Sequence, residues 1–260
     1  MPLRSPALPS RSLVSPAIAT VVALAILVSL GMWQLERKAW KESLIAQIEA
    51  RAHGVPGEIV PESAWTSWRA SEDEFRRVRL TGTYLHDLEA PVHGLTAGSG
   101  GRAAQGYFVF TPLKRPDGSV VIINRGFVPT ELRDPASRAA GQVAGEVAVT
   151  GLVRAPESAR LFVPDNHASR NEWFTRDIGA IARAKGLDRV APFTIDADAT
   201  ANPGGWPKGG QTRLSIRNDH LSYALTWFGL ALTLLGVFGA WAWRRLRGEP
   251  EPLVPPRAAP

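Results

Sequence analysis

Two long stretches without a charged residue constrain this chain more than any other feature. Ala17–Leu35 and Leu221–Trp243 contain no Asp, Glu, Lys or Arg. As helices with a rise of about 1.5 Å per residue they extend about 28 and 34 Å, and the hydrocarbon core of a bilayer is about 30 Å thick. The sequence therefore predicts two transmembrane helices, one near each end of the chain.

The first stretch has an alternative interpretation as the apolar part of a signal peptide, because Arg4 and Arg11 precede it. Such a region is about 7–15 residues long and ends at a cleavage site of small residues. Ala17–Leu35 is longer and continues into Glu36 and Arg37 without an Ala-x-Ala site. A retained membrane anchor is the better interpretation.

The basic residues of the two tails predict the orientation. Arg4 and Arg11 precede the first helix, and Arg244, Arg245 and Arg247 follow the second. Short basic flanks stay on the cytoplasmic side, whereas a long loop is translocated largely regardless of its charge. The predicted organisation is a cytoplasmic tail (1–16), a transmembrane helix (17–35), an extracytoplasmic domain (36–216), a second transmembrane helix (217–243) and a second cytoplasmic tail (244–260).

The central domain is predicted to be mainly β, which makes the chain an α+β membrane protein. The first helix is expected to extend from Pro16 to Ala52, because apolar residues recur every four positions until Gly54 and Pro56 end the pattern. A turn at 115–118 predicts a hairpin, and one short helix is expected at Thr175–Lys185 with Gly186 at its end. The predicted strands are Arg76–Tyr84, Gly106–Leu113, Val120–Asn124, Glu146–Arg154 and Val190–Asp196.

Two glycine-containing segments are predicted to lie outside regular structure. Gly94–Gly101 lacks both the lysine of a P-loop and the spacing of a dinucleotide-binding turn, so we expect a flexible connector. Asn124-Arg125-Gly126 follows a predicted strand, so we expect a turn in which Gly126 adopts an unusual backbone angle.

Composition excludes several classes of site. The chain contains no cysteine, which excludes disulfides and thiolate metal sites. It contains only two methionines, so we expect no copper site with soft sulfur ligands. The net charge is +6, but no basic stripe interleaved with aromatic residues is present, so we expect no nucleic-acid partner. Arginine supplies 25 of the 30 basic residues, which fits a GC-rich genome, and the N-terminal tail is short for a transit peptide. We therefore expect a bacterial protein of the inner (plasma) membrane.

The histidines of the central domain do not form a pattern that predicts chemistry. His86 and His93 lie seven residues apart, which places them on opposite faces of a regular strand. His53 and His167 are isolated, and no nucleophile motif accompanies the many Ser and Asp residues. We therefore expect that the protein is not an enzyme.

His220 is the strongest candidate site residue. It lies at the outer end of the second apolar stretch, and Asn218 or Asp219 is a suitable N-cap. Ionisable residues near membrane depth are functional candidates by default. The alternative, in which His220 is only an interfacial polar residue, stays open on position alone.

The second transmembrane helix has two distinct faces. At 100° per residue, one face contains His220, Ala224, Trp227 and Ala231, and could accept a flat apolar ligand or simply face lipid. The small residues lie on the opposite side, where close helix–helix approach is possible. We expect this second face to pack on the first helix or on a partner; its members are Gly229, Thr233, Gly236 and Ala240.

Three separated motifs of this sequence resemble the Surfeit locus protein 1 family. They are Gly31-x-Trp33-Gln34-Leu35-x-Arg37-x-x-Trp40-Lys41-x-x-Leu44-Ile45, Asn124-Arg125-Gly126-Phe127-Val128-Pro129 and Asn218-x-His220-Leu221-x-Tyr223-Ala224-x-Thr226-Trp227-Phe228. The motifs occur in order, and the resemblance covers about residues 17–243. The family often has Trp where this chain has Phe127, which is a change between aromatic residues.

The resemblance implies an assembly factor for haem–copper cytochrome c oxidase that binds haem a and assists its insertion into the catalytic subunit. The family histidine implicated in haem binding corresponds to His220, which would be the metal ligand. Arg213, Arg217 or Arg37 would pair with the propionates, and the isoprenoid tail would lie along the Trp227 face. The implied partners are the oxidase catalytic subunit, the haem A synthesis machinery and membrane lipid.

Two other functions are weighed against this one. The first is a membrane scaffold that stabilises oxidase subunits and binds no cofactor. The second is a membrane enzyme such as a haem-modifying oxygenase, which is disfavoured because such chemistry usually needs several buried histidines and the two predicted transmembrane helices contain one, His220.

Overall fold

The structure is a computed structural model that describes residues 13–97, 103–157, 163–212, 214 and 218–247. Its helices are α1 (Val14–His53), α2 (Ala70–Asp73), α3 (Ile178–Ala184) and α4 (His220–Leu246). Its strands are β1 (Gly57–Glu58), β2 (Arg77–Tyr84), β3 (Ala90–Ala97), β4 (Ala103–Lys114), β5 (Val120–Pro129), β6 (Glu146–Arg154) and β7 (Val190–Ala197).

The chain divides into two compact units. The helix pair consists of residues before 46 and from 216 onward, and the β domain consists of residues 46–215. Within the described residues, α1 and α4 are the two helices that are long and apolar enough to cross a membrane. α1 is continuous from Val14 to His53, which confirms that the first apolar stretch and the following periodic segment form one helix.

In the helix pair, α4 buries the side that contains His220. Ala224 and Ala231 are buried, and the Phe228 ring fills the space in which a Cβ at Gly31 of α1 would lie. A Cβ added at Gly229 or Gly236 would meet no described atom within 4 Å. The expectation that the small-residue face of α4 packs on α1 is therefore wrong; packing of that face on a partner stays a prediction.

The β domain is a single mixed sheet in the strand order β1-β2-β6-β7-β5-β4-β3. β2 also pairs with β4 through Thr83↔Lys114 and Tyr84↔Leu113. Strands β2, β6, β7, β5 and β4 therefore form a closed ring, with β1 and β3 outside it. The β5–β7 pair is parallel and its neighbours in the ring are antiparallel.

Alternating apolar residues fill the inside of this ring. In β2, Val78 and Leu80 are buried and the residues between them are exposed, as the period of a strand with one buried face requires. Phe193 and Ile195 of β7 pack in the same cluster. A second cluster on the outer face packs α3 against β3 and β5; it consists of Ala90, Val92, Phe110, Ile122, Trp173, Ile178 and Ile181.

Most predicted strands are confirmed, and β6 has the predicted bounds. The β4–β5 hairpin forms at the predicted turn, where Gly118 has a φ of 82° and its N–H donates to the carbonyl of Arg115. The helix predicted at Thr175–Lys185 is shorter, because Asp177 accepts a hydrogen bond from the N–H of Ala180 and caps α3 there. Gly186 has the positive φ of a C-terminal cap.

The prediction of a connector at Gly94–Gly101 is wrong for its first part, since Gly94–Ala97 belongs to β3; residues 98–101 lie outside the described residues. Gly94 pairs with Gly106 of β4, and a Cβ at Gly94 would overlap the Phe108 ring. The glycine therefore permits a close approach within the sheet and does not mark a flexible loop.

The prediction of a turn at Asn124-Arg125-Gly126 is also wrong, because β5 continues to Pro129. Phe127 and Val128 still pair with β4, and Gly126 has the predicted unusual backbone, with a φ of 119°. The block is thus an irregularity inside a strand, and the side chains of Asn124 and Arg125 link β5 to its neighbours.

Candidate functional site

His220 is the first residue of α4, and Asp219 occupies the N-cap position. The position agrees with the predicted placement of His220 in the first turn. The imidazole is half-buried, although it lies at the end of the helix.

Gln34 of α1 contacts this histidine. The Nδ1 atom of His220 lies 2.7 Å from Oε1 of Gln34, and both side chains are half-buried. A side-chain carbonyl oxygen only accepts hydrogen bonds, so Nδ1 carries the hydrogen and donates it. In the neutral ring Nε2 then holds the lone pair, which is the form that binds a metal.

Gly31 allows the two helices to approach close to this contact. It is buried on α1, one turn before Gln34, and a Cβ there would lie 2.5 Å from Cε1 of Phe228. Gly229 of α4 is the opposite case, because a Cβ there meets nothing within 4 Å among the described residues.

Replacing Gly31 with alanine is therefore expected to destabilise the helix pair by about 1–2 kcal/mol, because the Phe228 ring must move. Gly229→Ala is the matched control and should be neutral or slightly stabilising, because alanine is the better helix former. The midpoint of an SDS titration of the purified protein, followed by tryptophan fluorescence, measures both. Equal midpoints for the two variants would contradict the proposed close contact.

Two of the other predicted site residues, Trp227 and Arg37, lie within the described part of the chain. Trp227 is half-buried on the same side of α4, about 10 Å further along the helix axis. Arg37 stacks on Trp40, with its guanidinium carbon 4.4 Å from the ring centroid. Arg213 and Arg217 lie outside the described residues.

The donor set at this end of the helix pair fits a haem better than a bare metal ion. No group of three His, Asp or Glu residues among those described could hold a metal ion. A bare ion needs several protein ligands, whereas haem iron takes four from the porphyrin and needs only one or two axial ligands. One imidazole whose Nδ1 is hydrogen-bonded, with no partner at Nε2 among the described residues, suits this requirement. Near it, Asn218 Oδ1 is buried without a hydrogen-bond partner among the described residues.

The histidines of the β domain have local partners. His86 lies in a short helical turn before β3, where Nε2 donates to the carbonyl of Val143 at 2.9 Å. His93 lies in β3 and stacks on Phe174 with the ring planes 3° apart. Burial lowers the pKa of His93, so this ring is neutral at physiological pH.

The buried polar residues of the β domain mainly link its strands. Asp196 of β7 accepts hydrogen bonds from Asn124 at 2.9 Å, from Arg154 at 3.2 Å and from Thr212 at 2.8 Å. Arg125 is 1% exposed and donates to the carbonyl of Gly141.

The guanidinium of Arg125 also lies over a neighbouring ring, with its carbon 4.7 Å from the centroid of Tyr84. Burial lowers the pKa of Arg125 and raises the pKa of Tyr84. The Asn124-Arg125-Gly126 block is therefore a structural link between β5, β7, β2 and the loop that contains Gly141.

Gln34 is the residue whose role the sequence alone did not reveal. In the sequence it is one position of the first motif, and it is the one carboxamide inside the apolar stretch Ala17–Leu35, near its C-terminal end. A polar amide in such a position requires a hydrogen-bond partner, and that requirement is the signal that could have identified it.

Comparison with known proteins places these residues in a family. Residues 21–232 match the SURF1 family, and this region includes all three motifs. A SURF1-like protein of Monosiga brevicollis is 40% identical over 227 residues, which cover 84% of this chain and 83% of that protein. Surfeit locus protein 1 of Mus musculus is 39% identical over 212 residues, or 77% of this chain and 67% of that protein.

Surfeit locus protein 1 of Homo sapiens is 37% identical over 233 residues, which cover 85% of this chain and 74% of that protein. Similarity of this extent includes most of α1, the β domain and part of α4, so it is not confined to a single motif. The resemblance inferred from the sequence is confirmed: the chain belongs to the SURF1 family.

Proposed function

We propose that this protein is a membrane-anchored assembly factor for haem–copper cytochrome c oxidase that binds haem a through His220. In this function it assists insertion of the haem into the catalytic subunit of the oxidase. The observation that carries the proposal is the hydrogen bond from His220 Nδ1 to Gln34, because it leaves Nε2 as the ligand atom. Membership of the SURF1 family supports the role in oxidase assembly.

The membrane arrangement is part of the proposal. α1 and α4 cross the bacterial inner membrane, and both termini are cytoplasmic, as the basic residues of the tails indicate. The β domain then lies on the extracytoplasmic side. His220, at the start of α4, lies near the outer membrane interface in this arrangement. The three relatives compared with this chain are eukaryotic, so the bacterial origin rests on the sequence composition.

His220 has three tasks in this mechanism. Its Nε2 would hold the haem iron, its Nδ1 keeps the ring oriented toward Gln34, and its place at the first position of α4 would put the ligand at the end of the helix pair. When bound, haem would supply an iron that can take an imidazole nitrogen as a ligand. A single histidine ligand suits a carrier, since a weakly held cargo can be released.

The remaining proposed contacts are electrostatic and apolar. Arg37 lies one turn after Gln34 on α1, where its guanidinium could pair with a propionate; Arg217 and Arg213 are assigned the same role. The isoprenoid tail would lie along the part of the Trp227 face that α1 leaves uncovered. Ala224 and Ala231 are excluded as contacts for the tail, because they are buried.

The partners proposed are the oxidase catalytic subunit and the haem A synthesis machinery, in addition to membrane lipid. A scaffold without a cofactor is the second candidate function. The observation that favours it is the open small-residue face of α4, where a Cβ at Gly229 or Gly236 meets no described atom within 4 Å. Such a face permits a helix of another subunit to approach closely.

The test is the visible spectrum of full-length protein purified from cells that make haem a. The wild-type protein and His53→Ala, a control on an exposed histidine at the end of α1, are expected to retain haem. His220→Ala is expected to lose most of it. Haem occupancy that does not change in His220→Ala would refute the assignment of the ligand. Absence of haem from the wild type, with oxidase subunits still co-purifying, would favour the scaffold.

A further inference from the structure

Gln34 of α1 contacts the proposed ligand His220 through its side-chain carbonyl. We propose that Gln34 is a positioning residue, which holds the His220 imidazole in the tautomer and orientation that present Nε2 as a ligand. The inference rests on the proposed function of His220. It adds to the His220 ligand site a residue on α1, 186 positions away in the sequence.

The geometry supports this role directly. The 2.7 Å separation of Gln34 Oε1 and His220 Nδ1 is short for a hydrogen bond from nitrogen to oxygen. The free imidazole of a histidine prefers its hydrogen on Nε2, which would block ligation through that atom. An acceptor fixed at Nδ1 reverses this preference, because only the Nδ1–H tautomer can donate to it. Partners of this kind orient metal-binding histidines generally.

The position of Gln34 and the packing beside it stabilise the hydrogen bond to His220. Gln34 lies in the last turn of the apolar stretch of α1, where water competes poorly for its amide and an unpaired amide is costly. The buried contact between Gly31 and Phe228 fixes the approach of the two helices beside it. Because Gln34 and His220 belong to different helices, the imidazole cannot rotate without breaking a link between α1 and α4.

The first experiment needs no haem. The full-length chain, labelled with ¹⁵N-histidine and purified without haem, is measured by NMR at alkaline pH, where the rings are neutral; the spectrum of His220→Ala identifies the signals of His220. We expect the Nδ1–H tautomer in the wild type. In Gln34→Leu we expect a shift toward the Nε2–H tautomer. A wild-type ring with its hydrogen on Nε2 would overturn the inference, whatever the protein does with haem.

The second experiment measures the consequence for ligation. Apo-protein titrated with haem a is expected to bind about 10–100-fold more weakly in Gln34→Leu, the usual effect of removing such a partner. Gln34→Glu keeps an acceptor and should retain binding, which shows that loss of the hydrogen bond, and not misfolding, causes the defect. Gln47→Leu is the control, because Gln47 is an exposed residue of the same helix.

The outcomes separate the two proposals. Equal haem affinity in wild type, Gln34→Leu and Gln34→Glu, with His220→Ala defective, would refute the positioning role and leave His220 as the ligand. Haem affinity that is the same in His220→Ala and wild type would refute the proposed function itself. In the variant that combines Gln34→Leu with His220→Ala, we expect no loss of affinity beyond that of His220→Ala, because Gln34 acts through the imidazole.

Discussion

Replacing Gly126 with alanine is expected to destabilise the β domain by about 3–5 kcal/mol, a large effect for the addition of one methyl group. Two causes add. Gly126 has a φ of 119°, a conformation that residues with a Cβ rarely adopt. A Cβ at this position would also overlap the carbonyl of Lys208, which accepts the hydrogen bond from the N–H of Phe127 at 2.9 Å. The atoms that the Cβ would meet belong to the backbone, so no side chain can move to relieve the clash.

Gly145→Ala is the control that separates these causes. Gly145 also has a positive φ, of 83°, but a Cβ there meets nothing within 4 Å among the described residues. Gly145→Ala is expected to lower the stability of the β domain by only about 1–2 kcal/mol. Thermal unfolding of the full-length chain in detergent measures both, and Gly126→Ala should lower the midpoint by on the order of 10 °C. A Gly126→Ala midpoint no lower than that of Gly145→Ala would contradict the account of β5.

The regular elements could be predicted because their signals are local. The apolar stretches, the alternation of Val78 and Leu80, and the turn before Gly118 each act within a few residues of the chain. The family could be identified for a similar reason, since its motifs are short and occur in order. The ends of the strands could be predicted less well. β5 continues past Asn124 because Phe127 and Val128 pair with residues of β4, and the local sequence of β5 does not show that pairing.

The closure of the sheet and the site itself depend on pairings that the sequence does not display. Only two residue pairs join β2 to β4, and the β5–β7 pair brings together segments about 70 residues apart. The prediction that the small-residue face of α4 packs on α1 was wrong because small residues on a helix do not by themselves determine which face makes a contact. The contact glycine is instead Gly31 of α1, which receives a large ring from α4. The Gln34–His220 pair depends on this choice of face.

Replacing Arg138 with leucine is the second substitution expected to have a large effect. Arg138 and Glu89 are each 5% exposed and form a buried ion pair in the β domain. This pair connects the segment after β5 to Glu89, the residue before β3. Arg138 also donates to the carbonyl of Leu132, at 3.0 Å, within its own segment. Removing one partner of a buried pair costs about 3–5 kcal/mol, because it leaves the other charge buried without compensation.

The lower end of this range is expected, because other cations act on the same carboxylate. Burial lowers the pKa of Lys185 and of Arg125, and the negative charge of Glu89 acts in the opposite direction on both. Each of these cations therefore interacts electrostatically with the Glu89 carboxylate. Arg138→Leu should therefore cost about 3 kcal/mol. The control is Arg170→Leu, which removes an exposed partner of Glu172 and should change the stability by less than about 1 kcal/mol.

The variant that combines Glu89→Leu with Arg138→Leu tests whether the loss of stability in Arg138→Leu comes from the unpaired charge of Glu89. Replacing both partners of a buried pair by apolar residues is often neutral, so most of the stability should return. A deficit of about 1 kcal/mol should remain, because the hydrogen bond to Leu132 is lost in both variants. Thermal unfolding of the full-length chain compares the three proteins. A double variant no more stable than Arg138→Leu would mean that the backbone contacts of Arg138, and not its charge, hold this part of the β domain together.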